Sequence, residues 1–141
     1  MHEIAEVLAY VGLASLGFGL AGSAIGLAIA GSAVTGMNEE NRAGGLAVAM
    51  LPGTQGLYTF AVGFLCLDAL AAENYLTVFA CTVMTSFACL MSGWFQGTVC
   101  AAGIRNINHG RIGVGPTLLL AVFPEFYAIL ALAFSALLLF R

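Results

Sequence analysis

Lysine is absent from this 141-residue chain, and only four arginines and seven acidic side chains punctuate it. With 8% charged and 61% hydrophobic residues and a mean hydropathy of +1.01, the composition excludes a soluble globular domain. So small a basic inventory offers no phosphate-binding surface, and no nucleic-acid partner is expected. The opening MHEIAE lacks the basic region of a secretory signal and reads as mature sequence. Cysteine is sparse: Cys66, Cys81, Cys89 and Cys100 all fall within apolar stretches, in no zinc or redox spacing and beside no histidine. They read as small packing residues. His2 and His109 sit at a terminus and in a turn, and Trp94 reads as packing or an interface anchor. Gly17-Phe-Gly-Leu-Ala-Gly22 spells a dinucleotide-binding pattern, but inside a continuous apolar helix whose N–H groups are already used. No organic cofactor and no ATP hydrolysis by this chain alone are expected.

What is present is long uncharged sequence. Charges divide the chain into the runs Val7–Asn38, Ala43–Leu67, Asn74–Ile104 and Ile112–Phe140, the last interrupted only by Glu125. About 20 helical residues span a bilayer core, so the prediction is an all-α, multi-pass membrane protein with four transmembrane helices. The first and third runs exceed the need and are expected to tilt or project. Arg42, Arg105 and Arg111 flank the 1–2 and 3–4 turns, whereas the 2–3 turn carries Asp68 and Glu73. The positive-inside rule puts the former in the cytoplasm and both termini outside.

The helices read as one hairpin written twice, residues 1–72 and 73–141. Setting Gln55 on Glu125, an offset of about 70 positions, brings SAIGLAIAGSA near FQGTVCAAGI and GMNEENR near NINHGR. The first run carries a small-residue stripe, Gly12, Ser15, Gly19, Gly22, Gly26, Ala30 and Ala33, and the third a looser one, Ser86, Cys89, Gly93, Gly97 and Cys100. Steps of three and four keep each stripe on one face, where helices approach closely. Two such inner helices backed by bulkier outer ones suit either a ring of repeats or a monomeric bundle.

A carboxylate at mid-bilayer costs roughly 2.5–3.5 kcal/mol on insertion scales, and chains that keep one commonly bind or relay a cation with it. Glu125 stands near the middle of its run, Gln55 at the midpoint of the second, and Gln96 is the one amide inside the apolar stretch of the third, beyond its first residue Asn74. Leu51, Thr54, Gln55 and Tyr58 share a helix face. Pro52 frees the carbonyl of Val48, and Pro124 frees that of Leu120 and can bend the helix before Glu125. Glu125, Gln55, Gln96, Thr54 and a backbone carbonyl are all hard oxygen donors, suited to Na⁺ rather than to soft metals. Tyr58 is placed to donate its O–H to Glu125. Counted from their turns, Gln96 and Glu125 differ in depth by about 6 Å of helical rise, to be absorbed by tilt or side-chain reach.

LPGTQGLY in the second run, EFYAIL around the helix-4 glutamate, the third-run Gln96 and the duplicated hairpin together resemble the rotor-ring proteolipids of V-type ATPases, above all the bacterial sodium-transporting form. The resemblance covers essentially the whole chain. It implies a ring of identical four-helix subunits, non-catalytic in itself, carrying Na⁺ past a stator membrane subunit as ATP drives rotation in a bacterial cytoplasmic membrane. It also implies lipid on the outside and central-stalk subunits at the cytoplasmic turns 35–42 and 105–111. It places the ion contacts on Leu51 through its carbonyl, Thr54, Gln55, Gln96 and Glu125, with Tyr58 bonded to the glutamate. The same rotor carrying H⁺ is the nearest alternative, although a proton needs no cage of oxygens. A small four-helix multidrug exporter is a further one, but it carries its acid in the first helix, where this chain has none after Glu6. A structural bundle without transport is the third.

Overall fold

The computed structural model describes all 141 residues and consists of helices and turns. They are α1 (His2–Val34), α2 (Glu39–Ala49), a 3-10 turn (Leu51–Gly53), α3 (Thr54–Ala71), α4 (Tyr75–Asn108) and α5 (Val114–Leu139). Counting α2, the 3-10 turn and α3 as one span, four spans are long and apolar enough to cross a membrane. The chain is an integral membrane protein. Its first span has 33 residues, which at helical rise is about 50 Å against a hydrocarbon core of about 30 Å. The ends of the long helices therefore project into the headgroup region or beyond.

Two boundaries depart from the sequence expectation. The second run is not one continuous helix: it tightens to 3-10 geometry at Leu51–Gly53. Pro52 has no N–H to donate and its ring crowds the carbonyl one turn back, and here the chain relieves both by tightening the turn. The third helix does not stop at Ile104 but continues to Asn108. Most of the predicted turn 105–111 is therefore helix, as is the 39–42 end of the other arginine-bearing turn. Pro124, by contrast, lies inside an uninterrupted α5.

Two of the three reversals between spans are closed by left-handed residues. After α3, Glu73 (φ 60°) lets the Asn74 N–H reach the Ala69 carbonyl at 2.9 Å. After α4, Gly110 (φ 66°) lets the Arg111 N–H reach the Asn106 carbonyl at 2.9 Å. This pattern satisfies the last carbonyls of each helix. Glycine adopts it freely, whereas a glutamate does so at a steric cost.

The centre of the molecule is the parallel seam between α1 and α4. The Ser15 and Ser86 hydroxyls lie 2.9 Å apart, and the Asn38 N–H donates to Asn108 Oδ1 at 2.8 Å, pairs separated by 71 and 70 positions. Between them Gly22 faces Gly93 and Leu90, and Gly26 faces Gly97 and Gly93. A Cβ on Gly93 would stand 2.7 Å from the Gly22 carbonyl carbon and oxygen. No side chain fits there, which is why the predicted stripe is made of the smallest residues. α3 and α5 pack on the flanks and turn Leu57, Phe60, Phe64, Phe123, Phe126 and Phe134 outward. Only 39 residues are buried, so this apolar exterior needs lipid or neighbouring protein around it.

Apolar packing inside the bundle falls into two groups. One lies at the end of the two arginine-bearing turns, around Val34, Met37, Val48, Ile104 and Ile107. The other lies at the opposite end, around Ala9, Val62, Cys66, Val78 and Cys81. Between them the interior is polar.

Candidate ion-binding site

That polar interval is built by three spans. Gln55 comes from the first turn of α3, just beyond the 3-10 break, Ser92 and Gln96 from one face of α4, and Glu125 from the middle of α5. Gln55 and Gln96 are 0% exposed and Glu125 is 8% exposed. Tyr58 Oη donates to Glu125 Oε1 at 2.8 Å. Gln96 Nε2 donates to Glu125 Oε2 at 3.1 Å and to the Ala121 carbonyl at 2.9 Å. Gln55 Nε2 donates to Gln96 Oε1 at 2.7 Å and to Ser92 Oγ at 3.1 Å. Ser92 Oγ in turn donates to the Pro124 carbonyl at 2.8 Å, one residue from Glu125. The bonds form a loop that starts and ends on α5.

The expected 6 Å difference in depth does not exist. Because α4 continues to Asn108 and α5 begins only at Val114, Gln96 and Glu125 stand at nearly equal depth. The bend anticipated at Pro124 does not draw the carboxylate away either, since both of its oxygens have a protein donor.

Leu51 and Thr54 occupy the edge of this arrangement. The Thr54 hydroxyl donates to the Leu51 carbonyl at 3.0 Å, and the Thr54 backbone N–H reaches the same oxygen. Both residues are half-buried. They are thus bonded to one another and not to the carboxylate. The 3-10 turn that carries them is fixed from α1, where Ser23 Oγ donates to the Pro52 carbonyl at 2.7 Å and Gly26 leaves room for the proline ring.

One atom is left over. Gln55 Oε1 is buried with no hydrogen-bond partner. An acceptor stranded this way costs about 1–3 kcal/mol, and native interiors keep few of them. An amide oxygen beside a carboxylate-bearing network is a fitting ligand for a hard cation. His, Cys, Asp and Glu side chains nowhere gather in threes that could hold a metal.

Ser92 escaped the sequence reading. It lies one turn before Gln96, and that spacing was the available signal: both side chains had to share a helix face. The serines and threonines of α4 are numerous, however, and several only bond within their own helix or the seam, as Thr82 and Ser86 do. Nothing in the sequence singled Ser92 out from these.

Known proteins place the chain. Residues 79–138 match the family of the C subunit of ATP synthase. The chain is 34% identical over 124 residues to the V-type sodium ATPase subunit K of Enterococcus hirae, covering 83% of this chain and 80% of that one. It is also 34% identical over 129 residues to the A-type ATP synthase subunit K of Methanocaldococcus jannaschii, covering 92% of this chain but only 57% of that relative's length. A membrane chain with four spans and a single buried carboxylate, similar along most of its length to these K subunits, belongs to the family of ATP synthase C subunits.

Proposed function

We propose that this chain is the ion-carrying rotor-ring subunit of a V-type ATPase membrane sector and that its cargo is Na⁺. The observation that carries the reading is the unpartnered, buried Gln55 Oε1 within the network that ends on Glu125. A cation taking that oxygen, with Glu125, Gln96 and, at the edge, Thr54 and the Leu51 carbonyl, meets one negative charge among neutral oxygens. The loaded site is then neutral overall, which lets it travel past lipid without an isolated charge. Tyr58 holds the carboxylate from the side.

Family membership and surface chemistry support the wider assembly. The subunit is non-catalytic and works in a complete rotary ATPase. Its two tandem hairpins, 1–72 and 73–141, are duplicates, and identical copies close into a ring through the apolar flanks. A stator membrane subunit receives the ion. Central-stalk subunits bind the projecting ends near 35–42 and 105–111, and a bacterial cytoplasmic membrane is the setting. The similarity to a relative named as a sodium ATPase subunit supports Na⁺. One observation favours H⁺ instead: both carboxylate oxygens already have protein donors, so Glu125, unlike the Gln55 amide oxygen, is hydrogen-bonded without a metal.

Carbodiimide labelling of Glu125 in the assembled complex separates the two. Carbodiimides react with a protonated carboxyl, so a bound Na⁺ shields it. At fixed pH, millimolar sodium is expected to slow labelling several-fold, with lithium weaker and potassium inert. A labelling rate indifferent to sodium assigns the cargo to H⁺.

A further inference from the structure

We infer that Ser92 is a positioning residue for the ion site, setting the orientation of the Gln55 amide so that its carbonyl oxygen is the end left free. This rests on the ion-carrying reading of the site and names a part of it that neither the spacing of the oxygen donors nor the family resemblance pointed to.

A glutamine amide presents two donors on one end and an acceptor on the other. Which end faces a ligand depends on what holds the opposite one. Here the donor end is fully engaged: Gln55 Nε2 meets Gln96 Oε1 at 2.7 Å and Ser92 Oγ at 3.1 Å. Ser92 can accept because its own hydrogen is committed elsewhere, to the Pro124 carbonyl at 2.8 Å. The hydroxyl therefore has a fixed direction, from Gln55 to Ser92 to Pro124. A flipped amide would set its carbonyl oxygen against Gln96 Oε1, acceptor on acceptor. It would also leave Ser92 without its donor. Ser92 is 4% exposed, so no solvent competes for either role.

The arrangement has a counterpart in the first hairpin. Ser23 on α1 donates to the Pro52 carbonyl at 2.7 Å, as Ser92 on α4 does to that of Pro124. In each hairpin a serine of the seam helix seizes the carbonyl of the proline in the flanking span, just ahead of a site residue, Gln55 or Glu125. Ser92 differs in also taking a bond from the opposite hairpin. It ties the residue that offers the free oxygen to the backbone that carries the carboxylate.

The test uses the intact membrane complex and follows carbodiimide labelling of Glu125. Ser92→Ala is expected to raise the sodium concentration for half-protection about tenfold, the scale of one orienting hydrogen bond. Ser92→Thr keeps the hydroxyl, with room for its methyl in the apolar groove that Ser92 borders with Met91, Phe95 and Tyr127. It should remain within about twofold of the parent, because the orienting bond is retained. In sodium-free buffer, Ser92→Ala and Gln55→Ala should each change the labelling rate, and the double variant should match Gln55→Ala alone, because Ser92 acts through that amide. Additive effects, an unchanged half-protection point, or a Thr variant as impaired as Ala overturns the assignment. If the parent shows no sodium protection, the Na⁺ reading fails by itself, and the sodium-free comparison still decides the role of Ser92. Should Ser92→Ala not assemble, Ser92→Cys, nearly the same size but a weak donor, is read in the same way.

Discussion

Glu125→Gln leaves a ring that assembles and a complex that moves no ions. The substitution conserves shape and removes a charge whose burial costs roughly 2.5–3.5 kcal/mol on insertion scales. Membrane insertion should therefore be no worse than in the parent. What disappears is the negative partner that makes a bound cation neutral. The new amide also turns an N–H toward either Tyr58 or Gln96, both of which now donate to the carboxylate. One donor loses its acceptor, at about 1 kcal/mol. The measurement is ATP-driven sodium uptake by the reconstituted complex, with subunit assembly followed by native electrophoresis. Uptake should fall by more than about 100-fold, equivalent to roughly 2.7 kcal/mol, while the assembled species persists. Uptake near the parental rate would remove Glu125 from the transport step and leave the bundle reading standing.

Gly97→Ala has the second large effect, on stability. A methyl group there would stand 2.6 Å from the Gly26 carbonyl oxygen and 2.9 Å from its carbon, and closer still to Gly26 Cα. The obstruction is backbone, so no rotamer change relieves it. α1 and α4 must separate, and overpacking of this kind costs about 1–3 kcal/mol or more. The damage spreads to the candidate site, because Gln96 is the neighbouring residue on the same helix. Gly115→Ala is the comparison. Nothing lies within 4 Å of a Cβ at that position, and alanine is the better helix former by up to about 1 kcal/mol. Thermal denaturation of the detergent-solubilised assembly should show a lowered midpoint for Gly97→Ala, and one unchanged or slightly raised for Gly115→Ala. Equal midpoints would mean that the seam is looser than its backbone contacts imply.

Much of this was legible in the residues themselves. The four spans follow from where charges are absent, because a bilayer admits little else. The stripe from Gly12 to Ala33 announced the seam, since only small side chains permit that approach. Glu125, Gln55 and Tyr58 could be brought together from mid-run position and helix face, and Gln96 joined them as an amide inside an apolar run despite its apparent depth; the structure puts the four in hydrogen-bond contact. Other features were hidden for physical reasons. The reach of α4 beyond Arg105 was missed because charge marks the edge of the hydrocarbon and not the end of a helix. That error produced the false depth difference between Gln96 and Glu125. The 3-10 break required knowing which way the chain accommodates Pro52: by a bend, a lost bond or a tighter turn. Ser92 was invisible because hydroxyls in apolar helices commonly bond back to their own turn, and only tertiary packing gave this one partners on two other spans.

The glycine seam has a mechanical consequence. Where two helices meet through side chains, a shearing load is partly absorbed as those chains hop between rotamers. α1 and α4 meet main chain to main chain around Gly22, Gly93 and Gly97, and there is nothing between them to yield. A sideways push on one half of the subunit is therefore handed to the other almost undiminished, the stiffness a part needs if torque is to pass through it.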